Sequence, residues 1–512
     1  MFWYADSTTE VFQVNSKNKI AIGRPEAIVI GAGVAGLASS IRLSAKGYKV
    51  RVFESRAEPG GKIGEIRSNG FRFDAGPSLF TMPELVDELF DLANSHEHDS
   101  FEYIQLDEIC RYFYEDGTRL TAGANVKDFA RQAEEATGVD STRVLKHLKK
   151  SQFIYETTGF IFLERSLHKL KSYLSLKVLV SMLKLPFLGI SKSMHQANQH
   201  GLQNDKMAQL FNRYATYNGS NPYIAPGVLN IIPHLEFGKG AFFPKGGMIS
   251  IRNALFKLAV SMGVEFQFNT LVSEIVVEDK KAVGVKVEDE FYPSIHVVCN
   301  MDVFYAYSKL LPNFNLSARR KQQERSSSAI IFYWGVEIER PELGLHNILF
   351  TKDSKREFED LFCEKNLTVD PTIYINITSK LQQEDAPANC ENWFVMVNAP
   401  SNEGQDWDAI IDRARETILQ KINRVIGIDV REHILTEEIL DPRTIDTKTM
   451  SYQGSLYGTS SNSKFSAFFR HPNFSKEIGN LYFCGGSVHP GGGIPLALSS
   501  AKIVDQLIPS AK

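Results

Sequence analysis

A glycine-rich turn near the start of the chain constrains its fold more than any other feature of the 512 residues. The apolar segment Ala27–Ile30 predicts a buried strand. Three glycines follow it at the spacing GxGxxG: Gly31, Gly33 and Gly36. Such glycines permit a tight turn, a close approach of backbone to a pyrophosphate, and close packing of a helix on a strand. The motif therefore predicts a phosphate-binding turn.

The residues after this turn complete a Rossmann unit. The segment 37–47, with Ala35 just before it, predicts a helix that ends on a glycine, and 49–54 predicts a second strand. Glu54 lies 18 positions after Gly36, near the ~20 expected for a carboxylate that accepts ribose hydroxyls. Because strand, helix, strand and acid all stand in order, the sequence predicts a dinucleotide site.

Two further turns favour a flavin over a nicotinamide dinucleotide. The loop 56–62 contains Gly61 and ends on the cation Lys62, so it can fold over an extended dinucleotide and place positive charge near its phosphates. A predicted strand over 70–75 then ends in a turn whose backbone can approach a flat ring. That turn consists of Gly76, Pro77 and Ser78.

The same pattern recurs at the far end of the chain. A predicted strand over 480–484 runs into Gly486, and the segment 488–496 leads into a helix through Gly493, Ile494 and Pro495. A second helix N-terminus can thus face an electron-rich group. Taken singly, each of these segments is also explained by glycines that only make turns. Together they favour one FAD held by both ends of the chain.

Several segments resemble the bacterial-type carotenoid desaturases, a flavoprotein group that includes phytoene desaturases, carotenoid isomerases and retinol saturases. The resemblance covers nearly everything after residue 25 and is closest to hydroxycarotenoid 3,4-desaturases. It implies FAD as cofactor and an α/β fold, in which a Rossmann-type FAD-binding domain is interleaved with an α+β substrate-binding domain carrying a helical lid. The segments that carry it are 213–222, 242–248, 324–329, 454–458, 470–472 and 489–495.

The order of predicted elements indicates interleaved domains. After an N-terminal extension (1–24), the FAD-binding domain takes 25–105, 240–300 and 475–512. The substrate-binding domain takes 106–239 and 301–474, with its lid at about 150–200. The resemblance places backbone near Val272 on the adenine side of FAD and Asn300 near the isoalloxazine. Predicted elements are strands at 264–268, 272–277, 282–287, 294–299, 330–334 and 372–376, and a helix over 407–426.

Composition excludes several other classes. With 43% hydrophobic and 23% charged residues the chain can bury a large core, and its net charge of −3 gives no reason to expect a nucleic acid partner. The five cysteines show no CxxC spacing, so neither a disulfide framework nor a metal site is expected, and a reducing cytoplasm fits. No apolar run of ~18 residues predicts a spanning helix, and 1–24 lacks the pattern of a signal peptide.

The stretch 161–195 predicts contact with a membrane surface. Its cations stand against the single acid Glu164, and its apolar residues can form an opposite face. The cations are Arg165, Lys169, Lys171, Lys177, Lys184 and Lys192; the apolar residues are Phe162, Leu167, Leu170, Leu174, Val178 and Leu185. An ordinary solvated helix with a core-facing side explains the pattern as well. Because carotenoids dissolve in membranes, we expect a peripheral protein on the inner face of the membrane, with this stretch as a lid.

The implied reaction needs little acid–base chemistry. An oxidised flavin takes hydride at N5 from an allylic carbon, the cation spreads along the polyene, and a proton leaves the neighbouring carbon. We therefore expect an apolar tunnel that excludes water. The candidate substrate-binding residues are Arg213 and Tyr214. The segment 231–236 alternates in character, and His234 and Glu236 are two positions apart, so an extended segment would place both on one face. There, either residue could take the proton or hydrogen-bond a substrate hydroxyl. A salt-bridged domain seam is the structural alternative.

Other functions compete with 3,4-desaturation of a 1-hydroxycarotenoid. Phytoene desaturation or another carotenoid or retinoid redox reaction comes next, followed by an amine oxidase-like activity on the same fold. A prenyl-lipid chaperone related to Rab escort factors would bind isoprenoid without redox chemistry. The complete set of glycine turns favours a working flavin site over that last function.

Overall fold

The computed structural model describes residues 24–93, 101–169, 173, 176–463, 466, 468 and 470–511. Its strands are β1 (Glu26–Ile30), β2 (Lys49–Phe53), β3 (Gly64–Ser68), β4 (Phe71–Ala75), β5 (Tyr103–Gln105), β6 (Glu108–Phe113), β7 (Arg119–Gly123), β8 (Phe242–Pro244), β9 (Glu265–Gln267), β10 (Val272–Glu278), β11 (Lys281–Val287), β12 (Glu290–Pro293), β13 (His296–Cys299), β14 (Ser328–Val336), β15 (His346–Leu349), β16 (Ile373–Ile377), β17 (Glu391–Ala399), β18 (Ile434–Leu440) and β19 (Leu481–Phe483). Residues 1–23 of the predicted extension lie outside the described residues.

The helices are interspersed among these strands, with the longest run of helices between β7 and β8. They are α1 (Val34–Ala45), α2 (Glu84–Ala93), α3 (Val126–Thr137), α4 (Ser141–Glu164), α5 (Leu176–Leu183), α6 (Met194–Leu202), α7 (Asp205–Asn212), α8 (Pro233–Phe237), α9 (Ile249–Ser261), α10 (Val303–Tyr305), α11 (Ala318–Lys321), α12 (Ser354–Phe362), α13 (Trp407–Ile426), α14 (Pro442–Thr449) and α15 (Ile494–Leu507). Short 3₁₀ helices include Leu185–Leu188, Arg213–Asn218 and Gly227–Ile231.

Three distant parts of the chain build one parallel sheet, with strand order β19-β13-β1-β2-β9. Because the strands are parallel, the carboxyl ends of β1, β13 and β19 lie at the same edge. This edge brings together the residues that follow those strands: Gly31, Asn300 and the loop from Cys484. Helix α1 covers the sheet between α9 and α15. The predicted α/β fold class is confirmed.

A seven-stranded, mostly antiparallel sheet forms the second layer, in the order β18-β14-β17-β16-β15-β6-β7. All nine residues of β14 are buried, because both faces of that strand are covered. Phe332 and Trp334 pack with residues of α13, whereas Ile331 and Tyr333 pack with the β3–β4 hairpin. Alternate residues of a strand point to opposite faces, so β14 takes part in two cores.

Arg72 of β4 ties the hairpin to the rest of the protein. Its guanidinium donates to Asp74 at 2.6 Å and to Asp385, in the loop before β17, at 3.1 Å. The other oxygen of Asp74 accepts from the backbone N–H of Met248, just before α9, at 2.9 Å. Arg72, Asp74 and Asp385 are all buried. Separate segments of the chain therefore meet at one buried ion-pair network.

Most of the helices and strands predicted from local sequence patterns are present in the structure, and one predicted extended segment is wrong. The helix predicted over 407–426 has the bounds of α13, and the predicted strands correspond to β9, β10, β11, β13, β14 and β16. The segment 231–236, predicted as extended, instead runs from a 3₁₀ turn into α8. Pro233 at the first turn of α8 explains this, because its fixed φ starts a helix. His234 and Glu236 therefore do not share a strand face.

The predicted lid region is a series of short helices. Helix α4 ends at Glu164, α5 follows, and a 3₁₀ turn leads towards α6. Leu170, Lys171 and Leu174 lie outside the described residues. Among the residues that the structure describes, no helix is long and apolar enough to cross a membrane.

Candidate cofactor and substrate site

One cavity of about 720 Å³ is lined by residues from both ends of the chain. The N-termini of α1 and α15 both open onto it, through Val34 and Ala35 at one and Ile494 and Pro495 at the other. Their N-cap residues, Gly33 and Gly493, supply no side-chain hydrogen bond. Two positive helix ends are thus left free for anionic or electron-rich groups. This arrangement fits an extended dinucleotide.

The predicted phosphate turn has the close packing that requires glycine. A Cβ on Gly36 would lie 2.0 Å from the carbonyl oxygen of Gly31, and a Cβ on Gly33 would lie 2.6 Å from Oδ1 of Asn300. Gly31 itself has φ +92°, a conformation that glycine adopts without strain. Side chains at these positions would therefore displace the N-terminus of α1 from the sheet edge.

Asn300 joins the two ends of the chain beneath this turn. Its Oδ1 accepts from the N–H of Gly36 at 3.1 Å, and its Nδ2 donates to the carbonyl of Cys484 at 3.2 Å. Asn300 also lines the cavity. The structure thus gives this residue a contact with the phosphate turn, while its position near the isoalloxazine stays a prediction.

Two other predicted cofactor residues, Glu54 and Val272, are not among the residues that line the cavity. Glu54 is buried and accepts from the N–H groups of Ala32 at 2.7 Å and Arg56 at 3.0 Å. It therefore holds the phosphate turn and the following loop in place, at the end of β2 where a ribose is expected. Val272 begins β10 and is buried in the core between the parallel sheet and the β10–β11–β12 sheet.

The loop with Gly61 and Lys62 lies directly on the phosphate turn. A Cβ on Gly61 would be 3.1 Å from the Cα of Gly33. Lys62 lines the cavity and donates to the carbonyl of Leu456 at 2.7 Å. Burial lowers the pKa of Lys62 to about 8, against the opposing effect of Asp302. This cation is consequently placed where an anionic ligand would stabilise its charge.

The turn formed by Gly76, Pro77 and Ser78 also lines the cavity. Gly76 has φ +132°, and a Cβ there would lie 1.9 Å from the carbonyl oxygen of Lys62. Ser78 shares a hydrogen bond of 2.9 Å with the hydroxyl of Tyr374. The turn therefore connects the cofactor loops with the large sheet.

At the C-terminal loops, Gly486 and Gly493 line the cavity. Arg470 is a buried residue that donates to the carbonyl of Gly486 at 3.5 Å; the sequence assigned it no individual role, although it begins the segment 470–472. Its guanidinium donates to the carbonyl of Tyr457 at 2.5 Å and to Oδ1 of Asn218 at 2.8 Å. Burial lowers the pKa of Arg470 to about 10. Arg470 thus fixes the C-terminal loops against the 3₁₀ helix that contains Arg213.

A buried polar cluster lies in another part of the cavity wall. Glu236 accepts from the hydroxyls of Tyr217 at 2.5 Å and Tyr214 at 2.6 Å, and its Oε2 lies 3.4 Å from Nη2 of Arg213. Burial raises the pKa values of both tyrosines well above the usual range, so they are neutral donors. Arg213, Tyr217 and Glu236 line the cavity.

The structure separates His234 from this cluster. Its ring packs on Tyr155, with 5.0 Å between ring centroids, and it is not among the residues that line the cavity. Tyr214 lies behind the cavity wall and reaches the cluster through its hydroxyl. Tyr217, which the sequence did not single out, lies in the segment 213–222 that carried the resemblance. The Arg213–Glu236 ion pair connects the end of α7 with α8.

Comparison with known proteins places this geometry in a family. Residues 34–504 match the family described as flavin containing amine oxidoreductase. The chain belongs to that family. Membership confirms the predicted FAD cofactor and the predicted class, a flavin-dependent oxidoreductase, and it agrees with the glycine turns at both ends of the cavity.

Curated relatives of the chain act on carotenoids by name. The chain is 51% identical to a 1-hydroxycarotenoid 3,4-desaturase of Flavobacterium sp. (strain P99-3), over 95% of this chain and 99% of that protein. It is 32% identical to a 4,4'-diapolycopene oxygenase of Methylomonas sp., over 93% and 96% of the two chains. The predicted resemblance to hydroxycarotenoid 3,4-desaturases is confirmed.

Solved structures share the fold at low sequence identity. An oxidoreductase from Methanosarcina mazei is 14% identical, with a TM-score of 0.60 over 94% of this chain and 100% of that one. A double mutant of putrescine oxidase, made to redesign cofactor binding, is 14% identical with a TM-score of 0.60, over 94% and 98%. These likenesses concern the fold alone.

Proposed function

We propose that this chain is an FAD-dependent desaturase that introduces the C-3,4 double bond into a 1-hydroxycarotenoid. The observation that carries the proposal is a cavity in which two helix N-termini without side-chain caps share a wall with many apolar side chains. A dinucleotide and a polyene can therefore meet inside one enclosure. The 51% identical relative with this named activity supports the choice of substrate.

The apolar wall suits a stiff hydrocarbon. Its side chains come from α4, the 227–235 segment and the large sheet, and they include Phe162, Leu163, Leu229, Ile232, Ile348 and Phe350. Such a wall excludes water from the reacting carbons. When bound, an oxidised flavin supplies the hydride acceptor. The residues of the chain then have to orient the polyene and remove one proton.

Glu236 is our candidate for the group that removes the proton. It is buried in the cavity wall, and its carboxylate oxygens have lone pairs beyond those used by Tyr214 and Tyr217. Arg213 provides a positive charge 3.4 Å away, which stabilises the carboxylate in a buried site. We therefore assign proton removal to Glu236, and a substrate-facing role to Arg213.

Replacing Glu236 with glutamine is expected to lower turnover of a 1-hydroxycarotenoid by about 100-fold, as for the loss of a positioned base. The flavin content of the purified protein should stay unchanged. The measurement is chromatography of pigments after reaction, with hydroxylated and hydrocarbon precursors supplied side by side. Glu164→Gln, at the exposed end of α4, is the control and should keep wild-type turnover. Full turnover by the Glu236→Gln variant would remove Glu236 from the mechanism.

We also propose that the region around α5 contacts the inner face of the membrane, where the substrate dissolves. Leu183 and Phe187 are 73% and 66% exposed, and Lys184 between them is exposed as well. Leu188, directly after Phe187, is buried in a hydrophobic cluster, and Ile231 packs against that cluster. Because Ile231 also lines the cavity, this apolar surface lies one layer from the cavity wall. Exposed apolar and basic residues together suit an anionic lipid surface.

The double substitution Leu183→Ser with Phe187→Ser is expected to weaken binding to anionic vesicles by about tenfold or more, since each side chain loses its burial in lipid. Co-sedimentation with phosphatidylserine-containing vesicles measures the effect. Val369→Ser removes an apolar side chain that is 83% exposed elsewhere and should leave binding unchanged. Equal sedimentation of both variants would contradict the membrane assignment.

A further inference from the structure

A chain of hydrogen bonds runs from the Gly76–Ser78 turn to His346 at the start of β15. The hydroxyl of Ser78 lies 2.9 Å from that of Tyr374, and the Tyr374 hydroxyl lies 2.7 Å from Nδ1 of His346. All three residues line the cavity. The chain therefore links a turn of the cofactor loops to an imidazole in the wall of the large sheet.

The neighbours of His346 fix which nitrogen carries its proton. Nδ1 is also 3.1 Å from Nδ2 of Asn376, and the same amide nitrogen donates to the carbonyl of Leu345 at 3.0 Å. Because an amide nitrogen can only donate, this contact favours an Nδ1 that accepts. Burial lowers the pKa of His346 to about 3, with Arg213 adding to the effect, so the ring is neutral. A neutral ring that accepts at Nδ1 carries its proton on Nε2.

The Nε2–H group is left for a ligand. Both hydrogen bonds of the ring use Nδ1, and among the described residues none accepts from Nε2. His346 is 4% exposed overall and yet lines the cavity. A donor that opens into the cavity and has no protein partner favours a ligand that brings an oxygen acceptor.

We propose that His346 recognises the 1-hydroxyl oxygen of the substrate and thereby selects hydroxylated carotenoids; this assignment rests on the proposed function. In such a substrate a single carbon separates C-1 from C-3, so the group that holds the hydroxyl must lie beside the reacting carbons. Tyr374 connects His346 to Ser78, in the turn that the sequence predicts next to the flat ring of the cofactor, and this link supports a place for His346 on that side of the cavity. Tyr374 and Asn376 act as positioning residues that hold the tautomer.

Selection of this kind has a physical basis. A hydrocarbon analogue leaves the Nε2–H group buried and unpaired, whereas the hydroxyl pairs with it. Sites built to hydrogen-bond a substrate hydroxyl discriminate strongly against analogues that lack one. The hydroxyl can in turn donate to an acceptor of the cavity wall, and the carboxylate of Glu236 lines the same cavity as His346.

The test compares a 1-hydroxycarotenoid with the same polyene lacking the hydroxyl, in detergent micelles, using flavin-loaded protein. We measure kcat/KM for both, and binding of each from the change in flavin absorbance. His346→Leu should lower the preference for the hydroxylated substrate at least tenfold in both measurements while turnover of the hydrocarbon is retained. His346→Gln, whose amide N–H can replace Nε2–H, should restore part of the preference.

The control is His147→Phe, which replaces another buried histidine, one that packs on Phe211 with 4.5 Å between ring centroids; it should keep the wild-type preference. An unchanged preference in His346→Leu, or equal losses on both substrates, would overturn the role of His346 while leaving desaturation intact. Wild-type protein that converts neither polyene would instead overturn the proposed function.

Discussion

Gly36→Val is expected to give a colourless protein with less than a tenth of the wild-type flavin content. The reason is steric: a Cβ at this position would lie 2.0 Å from the Gly31 carbonyl oxygen and 3.0 Å from Oδ1 of Asn300. Helix α1 must then move away from the edge where β1 and β13 end, and its N-terminus no longer faces the phosphates. The flavin-to-protein ratio, read from visible absorbance, measures this loss.

The matched control is Gly201→Ala in α6, a helical glycine outside the cavity. The nearest atom to its Cβ would be Nδ1 of His147 at 3.4 Å, an ordinary contact, so the variant should bind flavin fully. Circular dichroism should report similar helix content for both variants, which separates loss of cofactor from loss of fold. Stoichiometric flavin in Gly36→Val would contradict the steric account of the turn.

Arg72→Met should lower the free energy of unfolding by about 3–5 kcal/mol, the usual cost of removing one partner from a buried ion pair. Asp74 and Asp385 would remain buried without their cation. Burial already raises the pKa of both carboxyl groups, and losing Arg72 raises it further. Stability from these groups is then present at low pH and lost as the pH rises, so the variant should be destabilised less at pH 5 than at pH 8.

Arg67→Met provides the control within the same hairpin. Arg67 pairs with Glu65 at 2.6 Å, but its side chain is 71% exposed, so its loss should cost less than about 1 kcal/mol. Urea unfolding followed by tryptophan fluorescence, at both pH values, measures the two variants. If both substitutions lowered the free energy of unfolding equally, burial of the Arg72 network would not add to the stability of the protein.

Local sequence signals predicted the FAD cofactor and the α/β fold class correctly. The GxGxxG spacing is a short-range pattern, and Gly36 meets the carbonyl oxygen of Gly31 in the same turn, although Gly33 also meets the distant Asn300. The helix over 407–426 carries its own apolar periodicity and ends on Gly427 in the left-handed conformation. The segment 231–236 was wrongly predicted as extended, because it alternates apolar and polar residues although Pro233 starts a helix.

The substrate side was less accessible to sequence reasoning. Glu236 and Arg213 were proposed individually, but Tyr217 and the Ser78–Tyr374–His346 chain were not. His346 and Tyr374 lie on neighbouring strands, β15 and β16. Ser78, which hydrogen-bonds to Tyr374, precedes that residue by 296 positions in the chain. Hydrogen bonds of this kind leave no periodic pattern in the sequence.

The sequence by itself determined the dinucleotide-binding turn, the flavin class and most of the strands and helices, because glycine sterics and apolar periodicity act over a few neighbouring residues. Only the tertiary structure decided which polar groups face the cavity. It placed His234 outside the cavity wall, buried Glu236 among two tyrosines and an arginine, and directed both hydrogen bonds of the His346 ring to Nδ1. These outcomes depend on the pairing of distant strands and on burial, which set each group's partners and charge.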